Sequence, residues 1–236
     1  GQAYTAKTLN TSKREIESVS VEPANDDEIF NTVKVMGGED WERWLDQLHA
    51  AGVLAENVQT VAYTYIGKEL TWPIYGKATI GRAKEDLDRA ATAITNKLQS
   101  QQGHAYVASL KALVTQASSA IPIMPLYISL LYRVMKEEGS HEGCIEQIYG
   151  LFQQCLYNPA RQLDEAGRLR MDGKELAGHI QSKVTALWQQ VETANIDELT
   201  DYKGYHQEFL RLFGFGYSHV DYNADVSPMV SLANLA

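Results

Sequence analysis

Apolar positions along this chain recur at two periods, and the periods divide it into elements. Residues 14–23, REIESVSVEP, read as a strand closed by Pro23. In residues 25–38, NDDEIFNTVKVMGG, Asn25 and Glu28 form a capping-box pattern, acids fill the first turn and Gly37-Gly38 stops the helix. Residues 40–52, DWERWLDQLHAAG, put Trp41, Trp44, Leu45 and Leu48 on one stripe of a second helix ended by Gly52. Residues 57–67, NVQTVAYTYIG, read as a strand with Val61, Tyr63 and Tyr65 on one face. A turn-rich loop follows, then a helix from about Ile80 to Leu98. Residues 105–114, AYVASLKALV, read as a strand, 115–124 as a loop, and 125–139, PLYISLLYRVMKEEG, as a helix with Pro125 in its first turn and Gly139 just past its end. Strand, loop, helix repeated twice is the logic of an α/β fold with parallel strands. From about residue 140 the pattern is mostly helical, and the polar stretch 158–172 reads as a long exposed loop. We therefore divide the chain into 1–140, an α/β part, and 141–236, a helical region packed on it.

Charge and cysteines narrow this picture. The 236 residues carry a net charge of −9, which disfavours a nucleic-acid binder and docking on anionic membranes. The apolar run IPIMPLYISLLYRVM is too short and too interrupted by proline to span a bilayer. Cys144 and Cys155 sit on one predicted helix, where eleven residues rise roughly 16 Å. A disulfide needs Cα atoms within about 7 Å, so the two are expected to stay unpaired as small core residues. Reduced thiols fit the cytoplasm. The chain starts GQAYTAK, without methionine, and we expect that this is not a natural start.

Three tempting motifs fail. GKATIGRA has the glycine spacing of a phosphate loop but Arg82 where lysine is required. HEGCIEQ, around His141, Glu142 and Cys144, lacks the histidine pair of a zinc protease, and we expect no metal. No G-x-G-x-x-G occurs anywhere.

Tyr75 and Lys84 remain. On one continuous helix nine residues turn about 900°, which sets the two side chains on opposite sides. Cooperation therefore requires Tyr75 off the helix. Pro73 favours extended backbone before it, Gly76 follows the tyrosine, and Thr79 can cap the helix that begins at Ile80. Lys84 borders the stripe of Leu87, Ala91, Ile94 and Leu98. It is therefore either a group with a ligand, or a snorkelling lysine, or a partner of Asp88 one turn on. A protonated phenol beside an ammonium can donate a proton, and a lysine can hold a ribose. Both jobs recur where a nicotinamide delivers hydride and a tyrosine supports the oxyanion that forms.

At these residues the chain resembles the trans-2-enoyl-CoA reductase family, including the FabV-type enoyl-acyl carrier protein reductases. That family is marked by Tyr-x8-Lys, here Tyr75 and Lys84. The blocks YTAKTLNT, VKVMGGEDWERW, YTYIGKELTWPIY, TIGRAKEDLD, LVTQASSAIPIMPLYISLLYRVMKEEG, HEGCIEQIYGLF and LTDYKGYHQEFLRLFGFG are similar to it in the same order. The resemblance implies an incomplete Rossmann-like, short-chain-dehydrogenase-like parallel sheet with a helix-rich C-terminal part. It implies that Tyr75 is the proton donor, that Lys84 contacts the cofactor and that Tyr65 hydrogen-bonds the thioester carbonyl of the substrate. It also implies that Leu113, Val114 and Thr115 contact the nicotinamide half of NADH.

The implied reaction is NADH-dependent reduction of the C2–C3 double bond of an enoyl-CoA or enoyl-acyl carrier protein in fatty acid synthesis. The loop 115–125 would shape the acyl pocket. The alternatives are a short-chain dehydrogenase acting on a carbonyl and a non-enzymatic helical partner domain.

The chain resembles only the C-terminal part of the family. The segment carrying the glycine-rich NADH-binding turn is missing, so we expect this chain alone to bind NADH poorly and to turn over little. We also expect it to expose a sheet edge, and the complete protein to be a monomer.

Overall fold

The computed structural model describes residues 2–229. The elements in chain order are β1 (Tyr4–Asn10), β2 (Glu15–Val21), α1 (Asp26–Met36), α2 (Glu39–Ala50), β3 (Gln59–Thr64), the single turn α3 (Trp72–Tyr75), α4 (Thr79–Lys97) and β4 (His104–Ser109). They continue with α5 (Gln116–Ala120), α6 (Met124–Glu137), α7 (Cys144–Gly150), β5 (Leu169–Arg170), α8 (Gly173–Leu176), α9 (Gly178–Gln190), α10 (Ile196–Leu199) and α11 (Tyr202–Arg211).

Three parallel strands in the order β3-β4-β5 make the sheet that carries the site. β4 is central and buried on both faces, as its apolar run requires. Ala105 packs with Leu45, Ile94 and Leu98 of the α2/α4 layer. Tyr106 and Ala108 pack with Leu151, Cys155 and Leu169 on the opposite face. The arrangement is α/β, as the alternating pattern predicts. The largest core surrounds α6, whose residues from Met124 to Tyr132 are all buried, and it gathers side chains from Leu9 to Tyr205. A helix apolar all round has to be covered all round.

The strand read at residues 14–23 is β2, one half of an antiparallel hairpin whose other half, β1, the pattern did not show. The hairpin packs Tyr4, Ala6, Ile16 and Val19 onto the α6 core. Lys7 ties it to the C-terminal end of α9, where its Nζ donates to the carbonyls of Trp188, Gln189 and Val191 at 3.2, 3.2 and 3.0 Å.

Other expectations need correction. Trp44 is 69% exposed, whereas Leu45 is buried and Trp41 is held by its indole N–H, 2.8 Å from Thr60 Oγ1. The stripe of α2 is thus Trp41, Leu45, Leu48. The stretch 158–172 is not all loop: Leu169 and Arg170 pair with Ala108 and Ser109 as the third strand. Residues 115–124 likewise include a helical turn, α5, which Thr115 caps. The helix at 144–157 changes to π-helical winding over Leu151–Leu156.

Among the described residues no helix is long and apolar enough to cross a membrane. Cys144 and Cys155 are both free, and Cys155 Sγ lies 3.5 Å from Met171 Sδ.

Candidate functional site

The site forms where β3 and β4 end. Their register pairs Thr64 with Ser109, and Leu110 donates its N–H to the Thr64 carbonyl at 3.0 Å, so both chains leave the sheet side by side. In open α/β sheets this carboxyl edge is where ligands bind. Tyr65 is the first residue past β3, whereas Tyr63 points out, 53% exposed. Leu113, Val114 and Thr115 follow β4, which stops at Ser109 and not at Val114. They run as irregular backbone, with Leu113 and Val114 buried and Thr115 at the start of α5.

Tyr75 is off α4, as cooperation with Lys84 requires, but by a different device. The backbone before Pro73 is helical, with Thr71 at φ −99° and ψ −16°, and Tyr75 ends the turn α3. A first-turn proline is tolerated because its missing N–H would have no partner there. One glycine lets this turn lie directly on α4, and a second makes room for a side chain of the turn itself. A Cβ on Gly81 would sit 2.2 Å from the Gly76 carbonyl oxygen, and one on Gly76 would sit 1.6 Å from the Trp72 ring. Thr79 does not cap α4; it is the first helical residue, and extended Ala78 precedes it without a side-chain cap.

Three predicted side chains meet here. The Lys84 ammonium lies 5.4 Å from the centre of the Tyr75 ring, and the Tyr75 ring meets Tyr65 edge-on at 4.7 Å and 81°. Lys84 donates to Thr64 Oγ1 at 2.7 Å. It does not form the alternative pair with Asp88, whose carboxylate takes Nε of Arg168 at 2.9 and 3.1 Å.

Burial pulls the Lys84 ammonium down to about 8, with Asp88 opposing and Arg168 assisting. Tyr75 is shifted upward, first by burial and then by the charge of Glu175. The net effect on the phenol is opposite to the activation that a nearby ammonium alone would give, so Tyr75 keeps its proton at neutral pH.

The sequence reading did not include the residues behind Tyr65. Its hydroxyl donates to Glu175 Oε1 at 2.8 Å and lies 3.2 Å from Thr71 Oγ1. Tyr127 of α6 donates to the same Glu175 oxygen at 2.7 Å. Burial and then the Glu175 charge hold the Tyr65 and Tyr127 protons firmly. Lys111 is also buried, and burial lowers it to about 8 against the pull of Glu175, Glu208 and Glu142. The only local signal for this group is a lysine and two tyrosines inside apolar runs.

A cavity of about 560 Å³ lies elsewhere, lined by residues including Cys155, Arg161, Arg170 and Lys174. Arg170 there pairs with Asp172, and Lys174 with Glu142. Its lining contains none of Tyr65, Tyr75, Lys84 or the 113–115 segment. Among the described residues no cluster of His, Cys, Asp or Glu is placed to hold a metal.

Residues 1–157 match the family model described as the trans-2-enoyl-CoA reductase catalytic region, and residues 163–226 match the enoyl reductase FAD binding domain. The chain is 65% identical over 231 residues to an enoyl-acyl-carrier-protein reductase (NADH) of Idiomarina loihiensis, covering 98% of this chain and 59% of the relative. It is 66% identical over 232 residues to the enzyme of the same name from Saccharophagus degradans, again covering 98% and 59%. The chain thus spans about 59% of the length of these relatives.

Trans-2-enoyl-CoA reductase of Clostridium acetobutulicum, solved in complex with NAD, superposes with a TM-score of 0.92 at 42% identity, covering 96% of this chain and 59% of that one. The Treponema denticola enzyme, also solved with NAD, gives 0.91 at 45% identity, covering 96% and 57%.

The donor set at the β3/β4 edge fits a nicotinamide nucleoside. An ammonium has three N–H groups, and Lys84 gives one to Thr64, which leaves donors for ribose hydroxyls. The Thr115 hydroxyl accepts from Ser118 N–H at 3.0 Å, which leaves its own O–H to donate. Residues 163–226 do not fit a flavin. Arg168 and Arg170 are paired with Asp88 and Asp172, and α9 and α11 turn their apolar faces onto the α6 core. A Cβ added to Gly167, Gly173 or Gly178 would meet nothing within 4 Å, and the tight space at Gly204 is already filled by the Asp201 carboxylate that accepts its N–H, so none of these four glycines marks an open backbone cradle.

Proposed function

Because this chain belongs to the trans-2-enoyl-CoA reductase family, we propose that the complete protein reduces the C2–C3 double bond of trans-2-enoyl thioesters with NADH, the acyl group being carried by acyl carrier protein or CoA. The observation that carries this reading is the contact of the Lys84 ammonium with the Tyr75 ring, and of that ring with Tyr65, at the carboxyl ends of two parallel strands.

In this reading NADH, when bound, supplies a hydride to C3. Lys84 and the Leu113–Thr115 segment hold its nicotinamide half. The negative charge that develops on the thioester oxygen is stabilised by the hydroxyl of Tyr75, and by that of Tyr65 once its one proton turns from Glu175 to the thioester. C2 takes a proton, with Tyr75 as donor. A buried phenol that holds its proton at neutral pH is suited to donating one, and the ammonium over its ring stabilises the phenolate left behind. The loop 115–125 shapes the acyl pocket. Its backbone is strained at buried Ile123, a β-branched residue at φ +67° between Pro122 and Pro125.

We read the sheet as part of a Rossmann-like domain, supported by the parallel order β3-β4-β5 with helical layers on both faces. The described residues of 141–236 are then a helical region packed on the α/β part, apart from the strand they lend to the sheet.

In the complete protein, Tyr75→Phe should lower NADH-dependent turnover of crotonyl-CoA by about 100-fold or more, with an unchanged melting temperature. Near-normal turnover would remove Tyr75 from the mechanism.

A further inference from the structure

Glu175 lies on the four-residue helix α8, is fully enclosed, and draws donors from three other parts of the chain. Tyr65 and Tyr127 both donate to Oε1, at 2.8 and 2.7 Å, and the N–H of Ala112 donates to Oε2 at 2.6 Å. Gln181 of α9 closes the group by donating to Tyr127 Oη at 3.0 Å and to the Glu175 carbonyl at 2.8 Å. A carboxylate removed from water is kept there only by donors that replace its hydration, and this one has a full set.

The placement of those donors is what matters. Tyr65 is the first residue after β3, on irregular backbone, and Ala112 immediately precedes Leu113–Thr115, also on irregular backbone. Neither is held by a strand ladder. One carboxyl group therefore fixes both, with one oxygen for the tyrosine and the other for the segment. Tyr75 meets Tyr65 edge-on, so movement of Tyr65 is passed to the second hydroxyl.

We propose that Glu175 is the positioning residue that sets Tyr65, on the thioester side, against the Leu113–Thr115 segment, on the nicotinamide side. This rests on the reading of Tyr65 and of that segment given above. Glu175 touches neither substrate nor cofactor; it acts through the two groups it holds. Replacement by glutamine keeps the volume but not the polarity. Its single amide oxygen can accept from the phenols or from the Ala112 N–H, not from both, so one tether is lost and Tyr65 and the segment are no longer set against each other.

The test is a double-mutant cycle in the complete protein, read with crotonyl-CoA and NADH. Glu175→Gln should lower kcat by about 10-fold or more and raise the KM for NADH by about 3-fold or more. Tyr65→Phe alone should lower kcat by about 10-fold or more. Added to Glu175→Gln, it should cost less than about 2-fold further, because the first change has already released the tyrosine from its place against the segment. A merely structural glutamate would give losses that multiply, and that outcome overturns the proposal. So would a Glu175→Gln enzyme with normal kcat and normal KM for NADH.

Full turnover by Tyr65→Phe would instead sink the substrate role of Tyr65, on which the proposal rests. Should Glu175→Gln fail to fold, Tyr127→Phe removes one donor from the same oxygen and takes its place. It should then lower kcat by about 3-fold or more in the wild-type background and not in the Tyr65→Phe background. Equal losses in both would overturn the proposal.

Discussion

Lys84 is half-buried and Lys111 fully buried, and burial brings both ammoniums down to about 8. Their surroundings differ. Lys84 gives one hydrogen bond, to a threonine hydroxyl, and faces the ring of Tyr75. Lys111 donates at 2.9 Å to the carbonyl of its own neighbour Ala112, lies 4.8 Å from the Tyr132 ring centre, and sits in the field of Glu175, Glu208 and Glu142. Nearly the same shift thus arises beside a candidate reacting group and inside a charge-compensated interior. The shift alone does not mark a site; what separates the two is what faces the ammonium, the ring of a tyrosine at the strand ends for Lys84 and three interior carboxylates for Lys111.

The largest effect should come from Lys111. Lys111→Met leaves Glu175 without its main opposing charge, and removing one partner of a buried pair costs about 3–5 kcal/mol. Because Glu175 can take up a proton instead, we expect the low end, about 3 kcal/mol at pH 8 in urea unfolding. Burial already raises the carboxyl of Glu175, and loss of Lys111 raises it further. A group whose folded value is raised contributes stability at low pH and loses it as pH rises. The penalty should therefore shrink at pH 5; a deficit equal at both pH values would break the comparison.

Lys84→Met should behave in the opposite way. At pH 7 the variant should be at least as stable as the parent chain, since a poorly compensated buried charge has been replaced by an apolar side chain. Between pH 8 and about 10.4 the unfolded chain binds more protons than the folded one, so the parent gains stability relative to the variant as pH rises. Turnover by the complete protein should fall by about 10-fold or more. Urea unfolding across pH 7–10 checks the first statement, and steady-state rates check the second.

The smallest effect sharpens the contrast. Arg168→Ala removes a cation that lowers Lys84 and frees Asp88, one turn from the lysine. The pKa of Lys84 should rise, that of Lys111 should stay in place, and stability should change by about 1 kcal/mol. Side-chain NMR titration of the two lysines reads this directly. Parallel movement of both would mean that their environments are not independent.

What the sequence shows and hides follows the same division. The limb from Tyr65 to Lys84 is legible because its chemistry is local: a strand end, a turn and the second turn of a helix, within twenty residues of one another. The cap at Asn25 and Glu28 is legible for the same reason, and both hydrogen bonds of the box are present at 2.9 Å. Glu175 is not legible. Its partners lie 48, 63 and 110 positions away, and a glutamate in a polar four-residue helix looks like any exposed one. β5 is hidden for a simpler reason: two residues cannot display a period. Trp44 misled because aromatic residues at i and i+3 suggest a shared face, while Leu45 one step on is the one that is buried.

The bonds from Lys7 to the end of α9 carry a consequence for synthesis on the ribosome. The hairpin they anchor is made before α9, and a two-stranded hairpin on its own is marginally stable in water. Its acceptors, the carbonyls of Trp188, Gln189 and Val191, are translated 181 to 184 residues later. At about 5–20 residues per second that is a delay of roughly 10–40 s. During that interval Tyr4, Ala6 and Val19 have no finished core to cover them, and the hairpin's apolar face stays open to water until α9 is made.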